Sequence, residues 1–328
     1  MTIAERKDNH ISVCLNGDVR SGVSAGFEKY RLIHNALPDG DFDAFSAETS
    51  FLGKRIAAPL LISSMTGGTE TGERINRNLA EAAERIGLPF AIGSQRIFLE
   101  HPELPRIPYR KIAPSVPMLA NLGAVQLNCG WGRDRFLAAV EMIEADALIL
   151  HLNPLQELLQ RGGDRNFSGL LKKIETLCSG FPVPVIVKEV GWGIEAGLAV
   201  RLKNAGVSMI DVAGAGGTSW SRVEALVDGS PEALALAQPF DGWGIPTAEC
   251  IASIHAADPS IRLIASGGIM NGVDIAKAVF LGAELCGMAG RLLPAAAEEG
   301  PDPVCAEIRM IIQQYRIAGF LSLGVSKI

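Results

Sequence analysis

No apolar run in these 328 residues approaches the roughly 18 a membrane-spanning helix requires. The opening MTIAERKDNH has no apolar signal region, so no membrane association is expected. The six cysteines (Cys14, Cys129, Cys178, Cys250, Cys286 and Cys305) lie far apart with no CxxC and no paired spacing. That argues against a zinc site and a disulfide framework and leads to the expectation of a cytoplasmic protein. Positive charge is not in excess: 30 Lys and Arg against 36 Asp and Glu give a formal net charge of -6. No global field therefore attracts nucleic acid or an anionic membrane, and an anionic ligand must be held by a local cluster of cations. There is no low-complexity linker, and no pair of acidic residues stands at the strand ends.

What is present is a regular alternation. At 48% hydrophobic residues the chain can bury a large core. After Pro59, short runs rich in Val, Ile, Leu and Ala alternate with amphipathic stretches of helical length. Strands are predicted at 60–65, 89–94, 118–124, 147–153, 184–190, 209–214, 263–268 and 285–290. The predicted helices include 73–86, 133–144, 167–178, 195–205, 246–256 and 272–281, with a last one over 302–320 closing the fold. Eight strands alternating with helices predict an α/β fold, a (β/α)8 TIM barrel over residues 59–328. Residues 1–58 read as an irregular N-terminal extension packed on the barrel and contributing to its site.

The stretch ALILHLNPLQE (147–157) organises the rest. An apolar strand stops abruptly and delivers His151, Asn153, Gln156 and Glu157, the first two on one side of the strand. His151 alone could equally be a histidine satisfied in a core; the cluster is harder to dismiss. Nearly every other predicted strand also ends in small or polar residues, and in a barrel those ends surround a single pocket.

ASGGIMNGVDIAKAVFLGAELCGMAG (265–290) reads as a phosphate cup after the last two strands. Gly267 and Gly268 let backbone approach an oxyanion, Gly272 and Asp274 introduce a helix expected to point its amides back at it, and Ala289 and Gly290 end the next strand beside it. The segment resembles the phosphate site of FMN-binding barrels, including hydroxyacid oxidases and inosine monophosphate dehydrogenase. That resemblance is one of fold and does not choose a reaction. A cofactor phosphate there would leave Thr66, Ser94, Asn121 and Lys188 available to the flavin edges. Lys188 interrupts the apolar run PVPVIVKEVG. It reads either as an external salt bridge or as a fixed cation beside the N1 and O2 edge of a reduced flavin.

RKDNH supplies Arg6, Lys7 and His10, readable as a solvated tail or as a lid of cations over a polyanion. Arg96, with Thr66, Gln95 and His151, would form the rim beneath it. Glu157 reads as a surface glutamate starting a helix or as the one carboxylate of a Mg²⁺ site that needs a phosphorylated ligand to complete its shell.

Taken together, RKDNH, SSMTGGTE, GSQR, ANLGAVQL, LHLNPLQE, VIVKEVGWGI, DVAGAGGTSW and ASGGI are similar to the flavin-dependent type 2 isopentenyl diphosphate isomerases, in order over residues 6–290. The resemblance implies an FMN enzyme of isoprenoid biosynthesis. Such an enzyme interconverts isopentenyl and dimethylallyl diphosphate with reduced flavin and Mg²⁺, the flavin being reduced by NADPH or NADH. It implies substrate contacts from Arg6, Lys7, Ser94, Gln95, Arg96 and Gln156, with His10, His151, Asn153 and Trp220 lining the substrate cavity, and Mg²⁺ on Glu157. FMN contacts are implied for Ser63, Ser64, Met65, Thr66, Ser94, Asn121, Lys188, Thr218, Gly268, Ile269, Met270, Ala289 and Gly290. Two departures stand out: Ala213 where family members often carry a serine, and QRGGDRNF without the usual proline and glutamate before its Gly-Asp pair.

A 1,3-proton shift in an unactivated alkene needs one proton added and another removed, with cationic character between, so Gln156, Lys188 and His151 are the catalytic candidates. The competing enzyme reading is an FMN-dependent 2-hydroxy acid oxidoreductase, which would call for a histidine in the stretch AGAGGTSWSRVE; none is there. A phosphate- or flavin-binding module without catalysis would need polar ends on only the last two strands. The expected state is a homo-oligomer, a tetramer or octamer, with RKDNH disordered until substrate arrives.

Overall fold

The computed structural model describes residues 3–328. Eight strands close a parallel barrel: β1 (Leu60–Ile62), β2 (Phe90–Ala91), β3 (Met118–Gly123), β4 (Ala147–Leu152), β5 (Val185–Glu189), β6 (Met209–Asp211), β7 (Leu263–Ser266) and β8 (Leu285–Met288). Closure is made by β8 on β1, with Cys286 opposite Leu60 and Met288 opposite Ile62. All eight predicted strands are found, each shorter than predicted because its small and polar C-terminal residues leave the ladder for the loops above it.

Strands covered on both faces read as continuous apolar runs, and the two-residue period sorts them. Leu61, Ala91, Leu119, Ala147, Ile149, Ile186, Met209, Ile264 and Leu285 form one buried cluster inside the barrel. Alternate residues such as Leu60, Leu148, Leu150 and Val187 belong to a second cluster shared with the surrounding helices. Phe51 and Ile56, from a hairpin of Thr49–Phe51 and Lys54–Ile56, join the inner cluster and plug the N-terminal end of the barrel. Lys54 fastens that plug, bonding Val116 O and Asp146 just ahead of β3 and β4.

Two expectations for the chain ends are corrected. The N-terminal segment is not irregular: residues Ile3–Asn16 form a helix, α1, packed against α2 (Glu70–Ile86) and α3 (Trp220–Asp228). Nor does the helix Asp302–Phe320 end the fold, because Ser322–Lys327 follows it and pairs antiparallel with Tyr30–His34. RKDNH lies within this helix, whose inward side chains a reading of it as a charged tail leaves out: Ile11 is 5% exposed, and Lys7 and His10 line the cavity. Among the described residues no helix is long and apolar enough to cross a membrane.

Candidate active site

The site follows from continuing the inner period by one step. Two residues beyond the last inward apolar position of each strand stand Ser63, Gly93, Asn121, His151, Lys188, Asp211, Ser266 and Gly287. This layer of polar side chains and glycines, Asp211 excepted, lines a cavity of about 1300 Å³ at the C-terminal ends of the strands. Single small-molecule sites span roughly 300–1,000 Å³, so the space suits two ligands side by side.

Of the catalytic, substrate, flavin and metal residues implied from sequence, the cavity wall gathers all but one. Arg6, Lys7 and His10 line it from α1, Ser94 and Arg96 from the loop after β2, and His151, Asn153, Gln156 and Glu157 from the end of β4. Ser63 to Thr66, Asn121, Lys188, Thr218, Trp220, Gly268 to Met270, Ala289 and Gly290 complete it. Gln95 is the exception and corrects the expected substrate contact. It is fully buried, donates to Ala139 O at 2.8 Å and accepts the Asn121 amide at 3.0 Å. It sits at the cap of the short helix Arg96–Glu100, where Ser94 and Arg96 face the cavity and Gln95 faces the core.

Gln95 nonetheless shapes the site through Asn121. With its backbone fixed there, Asn121 donates Nδ2–H to Ser64 Oγ at 2.9 Å, leaving Oδ1 2.8 Å from His151 Nδ1. That network assigns the proton to Nδ1 and leaves Nε2 as the free imidazole lone pair. Burial, with the cations Lys188, Arg96 and Lys7 nearby, holds His151 down to about 4, so the ring is neutral.

The short helix Pro154–Leu159 carries Gln156 and Glu157. Asn153 Nδ2 lies 3.2 Å from Gln156 Oε1 and 3.0 Å from Glu157 Oε1, and Glu157 Oε2 accepts the Asp164 amide at 2.7 Å. Gly163 permits that turn, since a β-carbon there would stand 2.1 Å from Glu157 O. The loop therefore forms without the missing proline and glutamate. Asp164 also pairs with Arg96 at 2.9 Å and accepts from Gln126 at 3.1 Å.

Behind Gln156 lies a residue that sequence reasoning missed. Glu224, on α3 and 5% exposed, accepts Gln156 Nε2–H at 2.7 Å and faces His10 Nε2 at 3.1 Å. It stands four residues after Trp220, whose indole packs edge-on to His10 at 5.5 Å, so the helical period put it on the same face. No acidic pair stands at the strand ends, but Glu224, from a helix, places a second carboxylate against Gln156, the neighbour of Glu157.

Lys188 is an internal cation, not an external salt bridge. Its Nζ donates to Ser266 Oγ at 3.1 Å and lies 3.3 Å from Asp211 Oδ2, while Ser266 Oγ–H donates to Asp211 Oδ1 at 2.6 Å. Glu189 points the other way, its Oε2 gathering the amides of Val190, Gly191 and Trp192.

On the far side, Gly267 (φ 95°) and Gly268 (φ 74°) hold a turn that only glycine adopts freely, and a β-carbon on Gly268 would lie 2.6 Å from Gly216 O. The expected helix contribution to an oxyanion is corrected. Asn271 caps the amides of Val273 and Asp274, and Gly272 N–H goes to Gln314. An anion held here would therefore meet loop backbone and not this helix. Ala213, where a serine was the familiar residue, adopts φ 36° and lines the cavity.

Comparisons with known proteins agree with this geometry. A model of the FMN-dependent dehydrogenase family matches residues 150–327. Among solved structures, a chimera of (S)-mandelate dehydrogenase superposes with a TM-score of 0.68 at 18% identity, covering 99% of this chain and 96% of its own. A mandelate oxidase carrying an FMN adduct gives 0.63 at 19% identity, covering 96% and 94%; both show the fold alone. The isopentenyl-diphosphate delta-isomerase of Oceanobacillus iheyensis is 50% identical over 306 residues, 92% of this chain and 87% of the relative. That of Nostoc sp. is 51% identical over 295 residues, 89% and 84%. With half of its residues shared along nearly the whole barrel, the chain belongs to the flavin-dependent type 2 isopentenyl-diphosphate delta-isomerases.

Proposed function

We propose that this chain interconverts isopentenyl and dimethylallyl diphosphate with FMN in its reduced form and with Mg²⁺. The observation that carries the reading is one cavity lined by the glycine turn Gly267–Gly268 and by Arg6, Lys7, Arg96 and Gln156, with Glu224 bonded to Gln156 from outside it.

The residues fit both groups. Gly268 and Gly290 would leave backbone open to a cofactor phosphate where side chains would crowd it, and Lys188, which lines the same cavity, would supply an ammonium to the flavin. For Mg²⁺, no group of three or more His, Cys, Asp or Glu among the described residues could hold the ion unaided. Glu157 would hold it together with diphosphate oxygens and water, the usual habit of that cation. When bound, reduced FMN supplies an electron-rich face that stabilises cationic character at the tertiary carbon, with N5 as a site of proton exchange.

The chain's own residues do the rest. Arg6, Lys7 and Arg96 neutralise the diphosphate and fix its end. His151, held neutral, offers a hydrogen-bond acceptor at Nε2 without adding charge. Trp220 walls the alkene against water that would capture a carbocation. Gln156, its amide gripped by Asn153 and Glu224, holds one N–H and one lone pair toward the substrate, and Glu224 is the carboxylate behind it that fixes that aim.

The loop Gly214–Trp220 has no histidine, so we set aside hydride abstraction from a 2-hydroxy acid. We place the protein in the cytoplasm on its six free cysteines, with NADPH or NADH as reductant. We propose assembly as a tetramer or octamer through the helix Pro231–Ala237, whose Leu234 and Leu236 are exposed; elution at a monomer mass would remove that assignment.

The test is anaerobic incubation with FMN, Mg²⁺, dithionite and isopentenyl diphosphate, scoring the acid-labile product. Product with reduced and not with oxidised flavin is expected; none in either state, with flavin bound, would overturn the reading.

A further inference from the structure

One half-buried carboxylate approaches the diphosphate end of the cavity from behind and has no part in the chemistry above. Glu73 projects from the first turn of α2. Its Oε1 accepts the Gly68 amide at 2.9 Å and its Oε2 accepts the Tyr109 hydroxyl at 2.5 Å. Three residues on, Asn76 Nδ2 donates to Thr66 O at 2.9 Å. The turn 66–68 after β1 is thereby clamped from one helix. It needs the clamp, because Gly67 (φ 154°) and Gly68 (φ 84°) are the most permissive residues a chain can offer, and a β-carbon on Gly68 would fall 2.4 Å from Ile97.

The clamped turn presents Gly67 O to Lys7 Nζ at 2.6 Å, with Ser94 O at 3.5 Å. Lys7 thus rests on neutral carbonyls, and this contact ties α1 to the barrel rim.

We propose that Glu73, braced by Tyr109, is a positioning residue for the diphosphate end of the site: it sets the turn on which Lys7 rests and supplies the negative charge opposite that ammonium, and so docks α1 over the cavity. The identity of the anion rests on the isomerase reading; the docking role does not. In support, burial lowers Lys7 to about 8, opposed by the Glu73 carboxylate from α2 and by Glu100 from the helix after β2, while Arg6 on its own helix adds to the lowering. An ammonium so placed is sensitive to the loss of one nearby anion. Glu73→Gln keeps an acceptor for Gly68 and removes the charge; Tyr109→Phe keeps the charge and removes the brace.

Two measurements on the FMN-loaded protein decide it. The first is hydrogen exchange of the amides of residues 6–13 without substrate, expected about tenfold faster in Glu73→Gln. The second is the affinity for inorganic pyrophosphate against pH. In the parent it falls as pH rises through about 8, the value for Lys7. In Glu73→Gln the fall should begin about one unit lower, a tenfold loss at a fixed alkaline pH. Tyr109→Phe should move both readouts the same way by about threefold, and it carries the test if Glu73→Gln does not retain FMN. A variant that binds FMN like the parent yet shows unchanged exchange and an unchanged pH midpoint overturns the proposal. A parent that binds no pyrophosphate overturns the diphosphate reading, and the exchange result then judges the docking role by itself.

Discussion

Gln156 hands its side-chain Nε2–H to Glu224 Oε1 at 2.7 Å, joining a residue of the cavity wall to a carboxylate outside it. An amide gripped in this way has one orientation, and its free N–H and lone pair keep a fixed aim. Glu224→Gln should therefore lower kcat by roughly 100-fold, the scale of misplacing a reacting group by about 1 Å. The affinity for pyrophosphate should stay within about threefold, because none of the diphosphate cations is touched. Steady-state kinetics with a binding titration separates the two; an equal loss in both would make Glu224 a structural residue. Gln156→Asn, which withdraws the amide by one methylene, should change turnover or affinity, and unchanged values for both would remove Gln156 from the mechanism.

The neutral state of His151 has a stability consequence. Its pKa is held down from 6.5 to about 4, so between those values the unfolded chain binds a proton that the folded chain refuses. Stability from this group is complete above about pH 6.5 and is lost as pH falls toward 4, up to about 3 kcal/mol at about 1.4 kcal/mol per unit. Urea melts at a series of pH values should show a shallower acid loss in His151→Asn than in the parent. Parallel curves would contradict the assignment.

Lys188 and Asp211 share a buried charge, since they face one another across the register of β5 and β6 with side chains 10% and 1% exposed. Lys188→Met strands the carboxylate and should cost about 3–5 kcal/mol. Adding Asp211→Asn should restore most of that loss without restoring activity. Thermal melts of the two variants check it; a double variant no more stable than the single one would show that the pair is not coupled.

Gly268 has both a left-handed φ of 74° and a carbonyl 2.6 Å from where a β-carbon would go. Gly268→Ala should lower stability by about 1–3 kcal/mol and should release FMN, seen as loss of yellow colour on gel filtration. Full flavin occupancy in this variant would place the cofactor phosphate elsewhere.

Glu157→Gln should weaken Mg²⁺ roughly tenfold or more when measured with pyrophosphate present. FMN affinity should be unaffected, because Glu157 is not among the residues assigned to the flavin. Equal Mg²⁺ dependence in parent and variant would remove Glu157 as the ligand.

The barrel was legible because parallel strands covered on both faces leave contiguous apolar runs, and because the same period carries His151 and Lys188 from the inner apolar set to the cavity floor. Direction within a motif was not legible. Ser94, Gln95 and Arg96 are consecutive, yet a helix begins there and turns the middle one into the core. α1 was hidden because the six polar residues of ERKDNH interrupt its apolar positions and read as a charged tail, whereas the helix docks on α2 and α3. The strand Ser322–Lys327 was hidden by its small and polar residues, which pair through backbone. Glu224 lay one helical turn beyond a motif that stopped at Trp220, and its role appears only when α3 packs beneath α1 and behind Gln156.

In the proposed reaction, proton exchange at the alkene runs from this cavity wall while reduced flavin is bound. It is tested most directly by proton NMR of isopentenyl diphosphate in D₂O with the FMN- and Mg²⁺-loaded protein, under dithionite and in an oxidised control, for the parent and Glu224→Gln. The account predicts dimethylallyl diphosphate signals with deuterium entering the methyl group in the reduced parent alone, and a strongly slowed reaction in the variant. Conversion at equal rates with oxidised flavin, or no conversion with flavin bound and reduced, would contradict it.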